Sequence, residues 1–271
     1  MKIGICLNMA ARDARKLGMD LLPDIKECGY DFVEMSVGNS MALDRVTFMQ
    51  DVYQPIHDSG IPCYAMNAFC GADQQFVGAR HQQRALDYTQ EALDRAAVLG
   101  AQAVVIGAGL ARSIAPNYPK DSACDQMAEL FRKMAELAKP YGIRLALEGL
   151  NRSESNMFTN MDDVMAQVHA VDHPNFGALA DYYHFTLGNE DPAKLIAMAP
   201  ELVHLHFARV LCRVIPKDMG EDDGYVPFMQ ALKQGDYNGA ISIEANCPDD
   251  FYQSAKQGLD VLRAVCSKAG F

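Results

Sequence analysis

Four polar residues in the second half of the chain each follow a short apolar run. Glu148 ends LALE, Asp181 ends GALAD, His206 lies in LVHLHFA and Glu244 ends AISIE. A carboxylate at the end of a buried strand must be paired or bound to a metal, because a bare buried charge is costly. Three carboxylates and one imidazole are ligands of divalent metals, so these residues suggest metal-assisted chemistry.

The three carboxylates predict a bound cation for an electrostatic reason. Acids held close together repel one another, and each then resists ionisation. A divalent ion removes most of this conflict, because three carboxylates and one such ion leave about one net negative charge. The oxygen-rich set with one nitrogen favours Mn²⁺, with Co²⁺ or Mg²⁺ as alternatives, in roughly octahedral geometry with open positions. Zinc is a weaker candidate because it prefers softer and smaller ligand shells.

Each of these residues also has an ordinary structural interpretation. A single acid at a strand end is usually a helix cap or a solvated loop residue, and His206 alone could be a hydrogen-bonded core histidine. Four such residues at equivalent positions of consecutive units favour the metal site. His204 shares a face with His206 and is interpreted as a supporting or packing residue lower in the fold.

The segments that must position these residues alternate between two patterns along the whole chain. Between the strand candidates lie helical patterns with apolar residues three and four apart, and four glycines are predicted helix ends: Gly29, Gly100, Gly142 and Gly239. The eight β-type runs are KIGICLN, FVEMSV, PCYAMNAF, AVVIGAG, IRLALEG, FGALADYY, LVHLHFA and AISIEA.

Buried strands that alternate with helices predict a parallel sheet covered on both faces. Eight such units predict an α/β fold in which residues 1–271 form a single (β/α)8 TIM barrel. The alternative is an open doubly wound sheet, but no glycine-rich dinucleotide loop follows the first strand. Because the carboxyl ends of barrel strands meet at one mouth, the four polar residues should converge there.

Composition narrows the classes of partner. The 271 residues include 24 basic and 35 acidic side chains, a formal net charge of −11, so we expect no nucleic-acid partner. The start MKIGICLNMA has the pattern of a strand, and no apolar run reaches the length of a membrane span. The eight cysteines are scattered without a C-x-x-C pair, which predicts free thiols and a cytoplasmic location.

Several motifs carry a family resemblance. LEGLNRSESN, HPNFGALADYYH, VHLHFA and ISIEA resemble the xylose isomerase-like barrel superfamily, most closely its ketose 3-epimerases of the tagatose and psicose type. The resemblance implies an isomerase that depends on one divalent metal and inverts carbon 3 of a ketose through an enediolate. It implies that Glu148 and Glu244 form an acid/base pair. It also implies the metal ligands: Glu148, Asp181, His206 and Glu244.

The resemblance further implies contacts to a sugar substrate. Glu154, His184 and an arginine after the seventh strand would bind its oxygens. That arginine is assigned to Arg213, with Arg209 as the rival. Asn67 ends an early strand, where the family usually selects the sugar, and is assigned to substrate binding. Related barrels often pair through helices, so we expect a homo-oligomer, a dimer or a tetramer.

Other functions stay open on the same residues. Hydroxypyruvate isomerases, keto-inositol isomerases and subunits that cleave carbon-linked 3-keto-glycosides all begin with proton removal beside a carbonyl. An apurinic endonuclease-like nuclease is a further alternative, but those enzymes need more metal-binding histidines, and this chain has 7 histidines in all. The chain also departs from the family at Gly149, where proline is usual.

Overall fold

The computed structural model describes the backbone of residues 1–271 and the side chains of residues 1–78 and 81–271. All eight predicted strands are present. They are β1 (Lys2–Cys6), β2 (Phe32–Ser36), β3 (Cys63–Asn67), β4 (Ala103–Ile106), β5 (Arg144–Glu148), β6 (Phe176–Asp181), β7 (Leu202–Phe207) and β8 (Ala240–Ile243). Each strand pairs in parallel with the next, and β1 pairs with β8 to close the barrel.

Thirteen α-helices surround the barrel or follow its strand ends. They are α1 (Leu7–Ala10), α2 (Leu22–Cys28), α3 (Val37–Met41), α4 (Arg45–Phe48), α5 (Gln54–Ser59), α6 (Ala79–Leu99), α7 (Gly109–Arg112), α8 (Lys120–Ala138), α9 (Met161–Val171), α10 (Tyr182–Leu187), α11 (Lys194–Met198), α12 (Tyr225–Gln234) and α13 (Phe251–Ala269). A π-helical turn, Met49–Tyr53, joins α4 to α5. Short 3₁₀ turns are Met19–Leu21, Lys139–Tyr141, Ala199–Glu201, Leu211–Arg213 and Met219–Glu221.

The packing explains how the barrel supports polar strand ends. Residues two apart on a strand share a face, so Ala146 lies below Glu148 on β5, and Leu179 lies below Asp181 on β6. Ala146 and Leu179 are fully buried in one apolar cluster with other small and aliphatic residues. Apolar packing below therefore fixes the positions of the strand ends at the mouth.

The predicted helix ends are correct at three glycines and wrong at the fourth. Gly29, Gly100 and Gly142 have positive φ at the ends of α2, α6 and the turn that follows α8. Gly239 does not end a helix, because α12 stops at Gln234 with Gly235 as its C-cap. Close packing explains the earlier end: a Cβ on Gly235 would lie 2.4 Å from the Ile196 carbonyl oxygen.

The eight cysteines are all free, as predicted. Cys6 and Cys63 are buried at strand positions, and Cys28 is half-buried at the end of α2. In the described residues, no helix combines the length and the apolar character needed to cross a bilayer.

Candidate metal centre and active site

The four predicted metal ligands converge at the mouth of the barrel. Glu148, Asp181 and His206 lie at the carboxyl ends of β5, β6 and β7, and Glu244 directly follows β8. Each is buried and offers one ligand atom, and these atoms all lie within 4.8 Å of one another. His206 Nδ1 is 3.1 Å from Glu148 Oε1 and 3.1 Å from Glu244 Oε2. The sequence thus brings together three carboxylates and one imidazole nitrogen.

Asp181 shows that the structural and the chemical interpretations of a strand-end acid are compatible. Its Oδ1 accepts a hydrogen bond from the backbone N–H of Tyr183 at 2.8 Å and so caps α10. Its Oδ2 faces the cluster instead, 3.0 Å from Arg213 Nη2. One carboxylate therefore starts a helix and leaves a second oxygen for the site.

A second set of buried groups orients His206 from below. His206 Nε2 lies 3.0 Å from Glu34 Oε1, and His204 Nε2 lies 3.0 Å from Glu34 Oε2. His204 Nε2 is also 2.9 Å from Ser242 Oγ. His204 therefore points inward below His206, as expected, and the Nδ1 atom of His206 faces the three acids.

The ionisation of the cluster reflects its burial and crowding. Burial, reinforced by the nearby charge of Glu244, raises the pKa of Glu148. Burial also raises the pKa of Asp181, to about 6, although Arg213 opposes this. Burial disfavours the charge of Glu244 too, but His206 and Arg213 outweigh it and hold its pKa at about 2. A divalent cation bound between these carboxylates would offset the burial and repulsion that raise the pKa of Glu148 and Asp181. The residues present therefore fit such an ion.

Arg213 closes one side of the cluster. Its Nη2 lies 2.5 Å from Glu244 Oε2, and its Nη1 lies 3.6 Å from Glu154 Oε1. The guanidinium also stacks over the Tyr183 ring, 4.6 Å from the ring centroid. Arg209, the rival assignment, instead places its Nη1 3.7 Å from Glu221 Oε1. Of the two arginines, Arg213 is the one in the site.

His184 and Glu154 lie beside the cluster and share Asn151. The backbone N–H of Asn151 donates to His184 Nδ1 at 3.1 Å, and its side-chain amide donates to Glu154 Oε1 at 2.9 Å. Burial lowers the pKa of His184 below its ordinary value. Because Nδ1 accepts a hydrogen bond, the proton of the neutral ring belongs on Nε2. His184 Nε2 is buried and lies 3.5 Å from Asp181 Oδ2, but it makes no hydrogen bond within the described part of the chain.

Asn67 lies at the end of β3, on the same side of the site as Glu244. Its Nδ2 donates to Glu244 Oε1 at 2.8 Å, so one half of the amide holds a carboxylate. Its Oδ1 is buried and lacks a partner among the described residues, as do Asn8 Oδ1 and Arg213 Nε. Buried polar atoms normally have partners, so these atoms favour a ligand with several hydroxyl groups.

Two residues that contact Glu148, Gly107 and Arg112, have no role toward it that the sequence predicts. An ideal Cβ on Gly107 would lie 2.5 Å from Glu148 Oε2, so the carboxylate occupies the space where a side chain would be. Arg112 is fully buried and donates from Nη1 to the Glu148 carbonyl oxygen at 2.7 Å. Burial lowers the pKa of Arg112 to about 10. The only sequence signal was the glycine-rich end of β4, which has no local link to Glu148.

Comparison with known proteins identifies the family to which this fold and site belong. Residues 22–265 match the family described as Xylose isomerase-like TIM barrel, and the chain belongs to it. The L-ribulose 3-epimerase of Methylomonas sp. (strain DH-1) is 28% identical over 133 residues, which cover 48% of this chain and 46% of that protein. A probable ketose 3-epimerase of Synechocystis sp. is 27% identical over 122 residues, with 44% and 41% covered. The chain thus spans about half the length of the curated relatives that it matches.

Solved structures extend the likeness to the whole chain. The D-psicose 3-epimerase from Clostridium cellulolyticum H10, solved with D-tagatose, superposes with a TM-score of 0.84 at 20% identity, covering 98% of this chain and 99% of that one. The 3-keto-D-glucoside 4-epimerase from E. coli gives a TM-score of 0.78 at 20% identity, with 97% and 99% covered. At such low identity the likeness establishes the fold. The predicted xylose isomerase-like (β/α)8 barrel is confirmed.

Proposed function

We propose that this protein is a metal-dependent sugar epimerase that inverts carbon 3 of a ketose. The observation that carries the proposal is the pair of buried carboxylates from β5 and β8, Glu148 and Glu244, each 3.1 Å from the same imidazole nitrogen. The family of the chain supports this proposal, because two of its curated relatives are named L-ribulose 3-epimerase and probable ketose 3-epimerase.

One divalent ion, Mn²⁺ in this proposal, would be held by four residues: Glu148, Asp181, His206 and Glu244. When bound, such an ion polarises a carbonyl and makes the neighbouring C–H more acidic. The donor set is rich in oxygen with one nitrogen, which suits Mn²⁺ better than zinc. Stripping the ion with a chelator should abolish turnover.

Glu148 and Glu244 would move the proton. One carboxylate removes the hydrogen from carbon 3, and the other returns a proton to the opposite face, which inverts the centre. Asn67 and Arg213 hold the oxygens of Glu244, and Arg112 holds the backbone of Glu148. If the proton returned to the neighbouring carbon instead, the same pair would perform aldose–ketose isomerisation.

The sugar hydroxyls would meet the polar atoms that lack partners. His184 Nε2–H would donate, Asn67 Oδ1 would accept, and Arg213 would donate from its free Nε. Glu154 completes this side, because its carboxylate is 40% exposed and faces both His184 and Arg213. These contacts would fix the orientation of the substrate relative to the acid/base pair.

The proposal predicts the outcome of proton exchange in deuterated water. The Mn²⁺-loaded protein, incubated with D-fructose, D-tagatose and D-psicose, should incorporate deuterium at carbon 3 with inversion. E148Q and E244Q should fold normally by circular dichroism yet lose at least about 10²-fold in rate, since each removes a positioned acid/base group. E129Q changes an exposed glutamate on α8 and is the matched control, with wild-type turnover expected. Wild-type exchange rates in both active-site variants would refute the proposal.

A second candidate has specific support. An inosose isomerase from Halalkalibacterium halodurans is 25% identical over 142 residues, covering 48% of this chain and 49% of that protein. A keto-inositol substrate would use the same proton removal beside a carbonyl. Exchange with an inosose and none with any ketohexose would favour this function. A nuclease is the less favoured alternative, because an acidic chain repels the phosphate backbone of DNA. Cleavage of an abasic duplex by the protein would contradict this ranking.

A further inference from the structure

We infer that Glu34 is a positioning residue for the proposed metal centre: its carboxylate bridges His206 and His204 and thereby keeps the proton of neutral His206 on Nε2, so that Nδ1 can bind the ion. This inference rests on the proposed function, because it concerns how strongly the site holds its metal. Glu34 lies on β2, which β1 separates from β8, so it comes from the half of the barrel that supplies none of the four proposed ligands.

The contacts of Glu34 use both of its oxygens. Oε1 lies 3.0 Å from His206 Nε2, and Oε2 lies 3.0 Å from His204 Nε2. The two rings stand almost perpendicular, at 89°, with centroids 5.4 Å apart. All three side chains are fully buried. A buried carboxylate needs full pairing, and two imidazole N–H groups supply it here.

The chemistry of imidazole explains why the acceptor matters. A histidine that holds a metal through Nδ1 must carry its proton on Nε2, and it needs an acceptor there. Glu34 is such an acceptor, since a carboxylate accepts hydrogen bonds and cannot donate when ionised. A donor in its place would push the proton of His206 to Nδ1, the atom that faces Glu148 and Glu244.

A different role for Glu34, as a ligand in its own right, fits less well. Cys6, Glu34 and His206 also place one potential ligand atom each within 4.8 Å of one another. Both Glu34 oxygens already contact imidazoles, however, and the Cys6 thiol is completely buried among acids. Glu34 therefore supports His206 instead of forming a second site.

The test measures the affinity for Mn²⁺ itself by isothermal titration calorimetry on the wild type, E34Q and E34M. E34M removes the acceptor at similar volume and should weaken Mn²⁺ binding about 10–100-fold, the usual effect of losing such a partner. E34Q should weaken it less, because one amide oxygen can still accept from one ring. Equal losses in E34Q and E34M would mean that only the charge of Glu34 matters, and would overturn the inference.

The matched control makes the same change away from the site. E129M replaces an exposed glutamate on α8 that pairs with Lys133, so Mn²⁺ affinity should stay near that of the wild type. Wild-type affinity in E34M would also overturn the inference.

A second readout separates this inference from the proposed function. The ¹⁵N resonance of His206 Nε2 should shift in E34M but not in E129M, whether or not metal is present. If the wild type bound no Mn²⁺, the proposed function would fail, and this resonance would still decide the role of Glu34: an unshifted signal in E34M rejects it.

Discussion

At the scale of single residues, Gly107 shows how a missing side chain makes room for a functional one. A Cβ at this position would lie 2.5 Å from Glu148 Oε2, closer than real atoms approach. We therefore expect G107A to displace the Glu148 carboxylate and to reduce kcat/KM on the best ketose by up to about 10²-fold, a loss that a 1 Å misplacement can cause. Steady-state kinetics with saturating Mn²⁺ measure this effect.

Gly149 provides the control for that prediction, because it directly follows Glu148 in the chain but leaves room for a side chain. A Cβ on Gly149 would meet its nearest neighbours, Val164 and Met161, at 3.4 and 3.5 Å, which are ordinary contacts. G149A should therefore keep near-wild-type kcat/KM. Equal activity in G107A and G149A would show that Glu148 tolerates crowding and would contradict the prediction.

The site residues that the sequence predicts carry a local signal, whereas those that it does not predict depend on contacts between residues far apart in the chain. Glu148, Asp181 and Glu244 each end an apolar run, and this local signal predicts their position at the mouth. Glu34 also lies in an apolar strand, but its role depends on His204 and His206, 170 and 172 residues away. Such contacts exist only once the barrel closes, so no spacing in the sequence reveals them.

At the scale of elements, the segment after β7 carries unusual backbone geometry. Cys212 and Arg213 have positive φ values of 66° and 46°, a conformation that is costly for residues with a side chain. The Arg209–Val214 hydrogen bond of 3.0 Å and the contact of Asn246 N with the Arg213 carbonyl oxygen at 2.8 Å hold this turn. The strained turn delivers the guanidinium of Arg213 to the carboxylates.

This geometry predicts the effect of glycine at an exposed position of the turn. C212G should raise the free energy of unfolding by up to about 1 kcal/mol, because glycine adopts positive φ without the cost paid by cysteine. C124G makes the same change inside α8 and should lower stability by a few tenths of a kcal/mol, roughly the gap between glycine and cysteine in helix propensity, plus the packing lost with the half-buried thiol. Urea unfolding curves of both variants measure the difference. A destabilised C212G would show that the turn carries no strain at this residue.

The elements themselves were predictable because their signals are local. Eight apolar runs separated by helical patterns identified every strand of the barrel. The misplaced helix end at Gly239 has the opposite cause: α12 ends at Gln234, and its C-cap Gly235 packs so close to the Ile196 carbonyl of α11 that a side chain would not fit. The packing of α12 against α11 involves residues far apart in the chain, so the positions of glycines in the sequence do not predict where α12 ends.

At the scale of the whole molecule, the proposed ion would link strands from one half of the barrel into a single centre. The chain carries a formal net charge of −11, and three of its acids are buried together at the mouth. Burial and the charge of Glu244 raise the pKa of Glu148 and of Asp181, and a divalent cation bound to the folded state would offset this cost. A ligand that binds only the folded state at a hundred times its Kd stabilises that state by about 2.7 kcal/mol.

This linkage predicts a thermal shift that does not depend on the identity of the sugar. Mn²⁺ at that concentration should raise the Tm of chelator-treated protein by roughly 5–10 °C, given about 2–4 °C per kcal/mol in chains of this size. D181N removes one charged ligand while its amide oxygen can still cap α10, so most of the shift should disappear without loss of fold. Differential scanning fluorimetry with and without Mn²⁺ measures both proteins. An equal shift in D181N would place the stabilising ion elsewhere in the molecule, because the cluster at the mouth cannot lose a carboxylate and bind as before.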